Sequence, residues 1–476
     1  MNAATTTLAP AAAERAPADA IGRIEALCDP GSFRPLRSGV LSPRLGDRAR
    51  EGDGVVAGAG QVLGRPVFCY AQDPSFMGGS LGEAHADSIV RVMELAAQAS
   101  APVVGFIESG GARLQEGHAG LAGYGRIFRA SVELSAQVPQ ISVVTGVSAG
   151  GGAYSPALTD FLLMTREARM FLTGPRVVRE ALGEEVTMEE LGGPRVHDGN
   201  GVCQLVAESE PDAAELIREL LGMLPQGIGG HPPLADPLPP PRPDPGAPVP
   251  DQSRRVYDVR DVIEGVVDGG RLLEISARWG PNMVTGFARI EGRPVGIVAN
   301  QPRRLGGIID TVGSEKAARF VRLCDRFRVP LVVLVDTPGF MPGTRQESEG
   351  VIRHGAALLR AFAGASVPRV TVVLRKAYGG AVITMNSKDL GADVVFAWPG
   401  AEIGIMAANQ AVGIVHRRRL RDASDPEELG ADLAAAYAEE HLTASAAAGS
   451  GFIDEVIEPA ETRERLGWAL NSLRGS

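Results

Sequence analysis

The stretch Ala101-Pro-Val-Val-Gly-Phe-Ile-Glu-Ser-Gly-Gly111 returns in the second half of the chain as Val329-Pro-Leu-Val-Val-Leu-Val-Asp-Thr-Pro-Gly339. Each copy is a short, β-branched apolar run that ends in glycine, the pattern of a buried strand entering a tight turn. Ahead of each run, apolar residues recur at helical spacing. These are Ile89, Val92, Met93 and Ala96 in one copy, and Ala317, Phe320, Val321 and Cys324 in the other. Strand alternating with helix predicts a layered α/β domain with crossover connections.

Other pairs keep the same register. Gly64-Arg-Pro-Val67 recurs as Gly292-Arg-Pro-Val295, and Gly78-Gly79 as Gly306-Gly307, both at the offset that joins Ala101 to Val329. Val138-Pro-Gln-Ile-Ser-Val-Val144 meets Val367-Pro-Arg-Val-Thr-Val-Val373 with the offset longer by a single position. Four matches in order imply an internal duplication, with a unit far too long for a solenoid repeat. Between the copies runs the stretch 224–252, whose proline density excludes helix and central strand. The expected organisation is a flexible tail over 1–20, a first domain over 21–223, a Pro-rich linker over 224–252 and a second domain over 253–476.

Composition narrows the function. The chain has 476 residues, 44% apolar and 22% charged, which suits a soluble globular protein of several domains. Its 57 acids outnumber 47 bases, so the basic footprint that nucleic acid requires is missing. No run of 18 apolar residues occurs, so no membrane span is expected. The opening stretch 1–20 lacks the basic start and apolar core of a signal peptide. Cys28, Cys69, Cys203 and Cys324 are too far apart in sequence for a zinc ribbon or a CxxC pair. A reducing cytoplasm is the expected location, and no metal site is expected.

Two glycine clusters remain. Ile141-Ser-Val-Val-Thr-Gly-Val-Ser-Ala-Gly-Gly-Gly-Ala-Tyr-Ser-Pro156 reads as a strand ending near Thr145, three glycines, then a helix. The second copy offers Arg375-Lys-Ala-Tyr-Gly-Gly-Ala381 before another apolar run. Glycines ahead of a helix leave unsatisfied N–H groups pointing outward with the helix dipole behind them. Such a turn suits a developing oxyanion or a phosphate. Close packing of strand on helix would also use glycine there. Neither cluster fits GxxxxGK[ST], so a P-loop is not indicated. The strand-end carboxylates Glu108 and Asp336 read as structural, the basic cluster 416–419 as a solvated or subunit face, and the acidic stretch 183–190 as an exposed helix start.

Taken together, several segments resemble the carboxyltransferase (β) subunit of biotin-dependent acyl-CoA carboxylases of the propionyl-/acetyl-CoA type. They are GGSLGEAHADSIVRVMELA (78–96), ESGGARLQEG (108–117), VPQISVVTGVSAGGGAYSPALTDF (138–161), MFLTGPRVVREALGEEVTMEELGG (170–193), GSEKAARFVRLCDRFRVPLVVLVDTPGFMPGT (313–344), GVIRHGAALL (350–359) and RKAYGGAVITMNSKDLGAD (375–393). The resemblance implies a crotonase-like ββα superhelix (the ClpP/crotonase fold) in each half. It further implies a homo-hexamer with each site between the first domain of one subunit and the second domain of another.

Carried over residue by residue, the resemblance assigns the first oxyanion pair to Gly150 and Gly151 with Gly152 adjacent, holding the acyl thioester carbonyl. The second pair maps to Gly380 and Ala381 and holds the ureido carbonyl of biotin. Gly110, Gly111, Ala112 and Tyr154, with Gly339, Phe340, Tyr378 and Gly379, are expected to line the substrates. The substrate is a coenzyme A thioester, and the carboxyl donor is carboxybiotin on a partner carrier. No Met-Lys-Met biotinylation motif and no ATP-grasp-like sequence are present, so a biotin carboxylase/biotin carrier (α) subunit is the implied partner, with a small accessory subunit possible. Ile383 stands where propionyl-type enzymes often hold Asp, which implies acceptance of acetyl and propionyl chains. Decarboxylase and transcarboxylase subunits share these motifs, and a catalytically silent scaffold of a biotin-dependent complex is a further alternative.

Overall fold

The parallel core of each half follows from its apolar runs, and the two halves are built alike. The structure, a computed structural model, describes residues 19–473 apart from 136, 251, 253 and 254. Positions 1–18, expected as a flexible tail, therefore lie outside the described residues. Asp19 caps a helix over Ala20–Leu27.

The first sheet holds β1 (Arg34–Leu36), β2 (Val55–Val62), β3 (Arg65–Gln72), β4 (Val103–Ser109), β5 (Gln140–Ala149), β6 (Phe161–Thr165), β7 (Arg169–Phe171) and β8 (Leu205–Ala207). Its order is β1-β2-β3-β4-β5-β6-β8, with β7 pairing β5 beyond β6. The second sheet holds β9 (Leu273–Glu274), β10 (Met283–Ile290), β11 (Arg293–Asn300), β12 (Leu331–Thr337), β13 (Arg369–Tyr378), β14 (Val394–Ala397), β15 (Glu402–Gly404) and β16 (Glu455–Val456). Its order is β16-β14-β13-β12-β11-β10-β9, with β15 on β13. In each sheet an antiparallel hairpin leads into parallel strands joined by helices.

The duplication extends to irregular features. The bridge Leu81↔Ala112 recurs as Ile309↔Phe340. The register shift between Ile107 and Ser109 recurs between Val335 and Thr337. Leu63, Met77 and Ser100 have positive φ, and so do their counterparts Glu291, Leu305 and Arg328, at the offset that joins Gly64 to Gly292. The expected helical faces are inward: Ile89, Val92, Met93 and Ala96 lie in Glu83–Ala99, and Ala317, Phe320, Val321 and Cys324 in Thr311–Arg326, all buried.

One core passes between the halves. Phe161 of β6 meets Phe287 of β10 at 6.0 Å, and Phe287 meets Phe320 at 5.1 Å, all three buried. The Pro-rich stretch has no helix or strand among its described residues. It is nonetheless bonded along its length. Ile228 N–H donates to Gln137 O at 2.8 Å on the first half. Ala235 N–H donates to Gly292 O at 3.0 Å, and Arg289 to Pro233 O at 2.9 Å, on the second.

One strand end differs from expectation, and one helix start is placed more closely. β5 continues past Thr145 to Ala149, because β7 pairs with Val147, Ser148 and Ala149. The acidic stretch does hold an exposed helix start, late in its length at Met188. Gly183 closes the helix Pro175–Leu182 in the left-handed region, and the next helix begins at Met188 behind a capping box made by Thr187 and Glu190.

Candidate active site

Both glycine turns stand where the longest parallel strand of each sheet gives way to a short helix. β5 ends at Ala149, Gly150 turns the chain with φ 58° and ψ −122°, and the helix Gly151–Ala157 follows. A side chain at Gly150 would be strained in that conformation. The Gly150 N–H is already engaged, donating to Phe171 O of β7 at 3.2 Å. Gly150 therefore shapes the turn, with its own amide engaged within the chain. Ala153 N–H donates back to Gly150 O at 3.0 Å. Gly151 and Gly152 hold the first two helical positions, where amides have no partner inside a helix.

The second turn repeats this arrangement. β13 ends at Tyr378, Gly379 has φ 61°, and the helix Gly379–Thr384 begins. Gly380 and Ala381 thus occupy the places of Gly151 and Gly152. The surroundings differ. A Cβ built on Gly151 would lie 2.7 Å from the Tyr124 ring, whereas one built on Gly380 would meet nothing within 4 Å. Among the described residues neither backbone strain nor packing requires glycine at position 380.

An exposed large side chain on each of these helices also corresponds. Tyr154 is 53% exposed and Ile383 is 45% exposed, and the offset between Gly151 and Gly380 also relates these two. Each sits one turn beyond its glycines.

The loops after β4 and β12 close in beside the turns. Gly111, with φ 97°, has its absent Cβ 3.4 Å from Ala149 O at the end of β5. Its N–H donates to Ser109 Oγ at 3.2 Å, and Gly110 N–H to Gly78 O at 2.9 Å. Leu81 N–H donates to Gly111 O at 2.9 Å, which fixes Ala112 in its bridge to Leu81. In the second half Ile309 N–H donates to Gly339 O at 3.0 Å, and Gly339 N–H to Thr337 Oγ1 at 3.3 Å. Phe340 is half-buried, its ring 3.3 Å from the absent Cβ of Gly355.

Tyr378 departs from its expected place. Its side chain is 6% exposed and its hydroxyl donates to the Glu402 carboxylate of β15. It ties β13 to β15 beneath the turn instead of lining an open surface.

Buried charges hold the loops. Arg113 is fully buried and donates to Asp53 Oδ1 at 2.5 Å and Glu116 Oε1 at 2.8 Å, and to the carbonyls of Asp53 and Ser80. Burial pushes the Asp53 carboxyl above its ordinary range, against the pull of Arg113. Glu108 pairs with Arg23 at 2.9 Å. Asp336 is held by Arg375 at 3.1 Å, with Lys376 at 3.8 Å, and burial pushes its carboxyl up. These carboxylates are committed to ion pairs. Sequence reading missed Tyr124, Ser109 and Ser148, which surround the first turn, because they come from three separate elements and carry no local pattern.

Among the described residues no group of three or more metal-type side chains comes together, and no helix is long and apolar enough to cross a membrane.

Comparison with known proteins gives a consistent result. The family model described as carboxyl transferase domain matches residues 15–475. The chain is 46% identical to the methylmalonyl-CoA carboxyltransferase 12S subunit of Propionibacterium freudenreichii subsp. shermanii, over 94% of this chain and 87% of that one. It is also 46% identical to the propionyl-CoA carboxylase carboxyltransferase subunit of Haloferax mediterranei, over 93% and 88%. A crystal structure of transcarboxylase 12S, described as a hexamer assembly with methylmalonyl-coenzyme A and methylmalonic acid bound, superimposes with a TM-score of 0.92. It is 45% identical and covers 96% of this chain and 89% of its own. Each half thus has the crotonase-like fold.

Proposed function

The chain belongs to the carboxyl transferase domain family, and from that premise we propose that it moves a carboxyl group between carboxybiotin on a partner carrier protein and the α-carbon of a short-chain acyl-CoA. The observation that carries this reading is the pair of amide turns, one per half, of which the second keeps a glycine that its own packing does not require. An approaching ligand group does require it, because a Cβ at Gly380 would fill the space beside the amide.

The first turn, Gly151 and Gly152, holds the thioester carbonyl oxygen of the acyl-CoA. Loss of the α-proton places negative charge on that oxygen, and the two amides are oriented for it in advance. Each such donor is worth about 2.7–4 kcal/mol in comparable sites. The second turn, Gly380 and Ala381, holds the ureido oxygen of biotin. The space over Gly380 suits a flat ring whose carbonyl meets a helix start. When bound, biotin supplies the carboxyl group and afterwards the base for the α-proton, so no side chain of this chain need act as base. The loops carrying Gly110, Gly111 and Ala112, and Gly339 and Phe340, flank the two turns and position the substrates. Tyr154 and Ile383 face outward at equivalent places, and Ile383 sets the room for the acyl chain.

The working assembly is a homo-hexamer joined by a biotin carboxylase and carrier chain, with the first half on the acyl-CoA side and the second half on the biotin side. Similarity to the transcarboxylase subunit favours a second reading for direction, in which the carboxyl leaves an acyl-CoA instead of arriving on one. The test combines the cognate biotinylated partner, ATP, bicarbonate and a panel of acyl-CoAs. ATP-dependent carboxylation of acetyl- or propionyl-CoA supports the proposal. Transfer only from methylmalonyl-CoA supports the second reading. No transfer in either direction refutes both.

A further inference from the structure

The ring of Tyr124 fills the place that a Gly151 side chain would take, with Cγ and Cδ2 each 2.7 Å from the built Cβ position. Tyr124 stands on the helix His118–Leu134 and is 5% exposed. Its hydroxyl lies 3.1 Å from Ser109 Oγ, a buried atom pair. Ser109 Oγ also accepts from Gly111 N–H at 3.2 Å. Ser109 is therefore a hub between the ring under the first turn and the loop that carries Gly110, Gly111 and Ala112. Its β5 neighbour Ser148 completes the arrangement, donating to Gly152 O at 2.8 Å.

The second half serves as an internal control. Thr337 is the counterpart of Ser109 and accepts from Gly339 N–H at 3.3 Å, so the bond from loop to hydroxyl is common to both halves. Among the described residues nothing lies within 4 Å of the corresponding Cβ position at Gly380. The same strand, turn and helix form in the second half without a ring beneath them. The ring packs in the core of the first half, but the shared strand, turn and helix do not require it or its hydroxyl.

We propose that the hydroxyl pair of Tyr124 and Ser109 is a positioning device for the first amide turn. It fixes the direction of the Gly151 and Gly152 N–H groups relative to the loop at Gly111, so that both meet one thioester oxygen. The proposal rests on the carboxyl-transfer reading above. It assigns Tyr124 and Ser109 an action through the backbone, with no contact to substrate. Charge on the thioester oxygen grows only as the α-proton leaves, so misdirected amides slow turnover more than they weaken substrate binding.

The test uses the full chain assembled with its biotinylated partner. Tyr124→Phe keeps the ring and deletes one oxygen, Ser109→Ala deletes the other, and Ser109→Thr introduces the residue that the second half uses. Expected are a fall of at least tenfold in kcat for Tyr124→Phe and for Ser109→Ala, with KM for acyl-CoA within twofold of the parent. The double variant falls no further than the worse single one, as for groups that act as a unit. Ser109→Thr recovers most of the loss. Melting temperature and assembled mass are measured alongside. A merely structural hydroxyl pair lowers the melting temperature and leaves kcat within twofold, and that result overturns the proposal. So does a multiplicative double variant, or a loss expressed in KM alone. If Ser109→Ala does not assemble, Tyr124→Phe and Ser109→Thr decide between the same outcomes. A parent complex without carboxyl transfer refutes the underlying reading, whereas an active parent with an unaffected Tyr124→Phe refutes this inference alone.

Discussion

At position 151 a side chain has nowhere to go, and at position 380 it has open space. The two glycines are equivalent by duplication and give opposite predictions for stability. Gly380→Val leaves the melting temperature within about 2 °C of the parent and lowers kcat by on the order of 10²–10³, the loss expected for an oxyanion donor. Gly151→Val lowers both, because the new methyls collide with the Tyr124 ring and overpacking costs roughly 1–3 kcal/mol. Thermal unfolding and turnover on the same preparations check the pair. Ile383→Asp replaces an exposed apolar group with a charge beside the second turn. The expected outcome is a lower kcat/KM for acetyl-CoA relative to propionyl-CoA, and an unchanged ratio removes Ile383 from the acyl pocket. In sequence the two clusters look like variants of one motif, and their locations were legible. What lies under each was not, since Tyr124 stands on the helix before β5 and reaches Gly151 only through the fold. That the Gly150 amide is taken by Phe171 O was hidden for the same reason, because Phe171 lies on β7, beyond a helix and a strand.

Helices and strands were mostly legible, because apolar periodicity marked both long inward-facing helices and both central strands. Periodicity is silent about a polar group on an inward face. Lys316, on the helix Thr311–Arg326, is 2% exposed, and its Nζ has no hydrogen-bond partner among the described residues. Burial pulls its pKa down to about 8, although the Glu274 and Asp198 carboxylates favour its charge. The unfolded chain keeps its ordinary value near 10.5, so above pH 8 the unfolded state binds a proton that the folded state lacks. Stability from this group therefore rises between pH 8 and 10.5, by about 3 kcal/mol at the ordinary exchange of pKa for free energy. Lys316→Met removes that slope. Urea midpoints of parent and variant at pH 7.5, 9 and 10 check it: the gap between them shifts in the parent's favour as pH rises. A constant gap rejects the assignment.

The whole molecule unfolds as its core is laid out, and that core crosses from one half to the other through Phe161, Phe287 and Phe320. Phe287→Ala is expected to destabilise by about 3–5 kcal/mol. Loss of that contact is felt on both sides, so the variant melts earlier in a single transition by calorimetry. Two separated transitions, with only the second half shifted, contradict a shared core. Duplication was readable in the sequence at this scale because its offset survives nearly unbroken from Gly64 to Val373. The behaviour of the Pro-rich stretch was not, since prolines report only what a segment cannot form. Many of its attachments run through main-chain carbonyls and amides that any residue supplies, beside side-chain ties from Gln226 to Pro66 O and from Arg242 to Glu264. Ile228 is fastened to the first half, whereas Pro233, Ala235, Leu238 and Pro239 are fastened to Arg289, Gly292, Arg463 and Gly269 of the second. The molecule thus has a natural place for gene fission. Two open reading frames divided at His231 would each encode the fasteners named above with the half they hold, and the bond from Arg328 to Gly229 O would join the two products. A division at Arg242 would leave the strip that clips onto the second product attached to the wrong polypeptide.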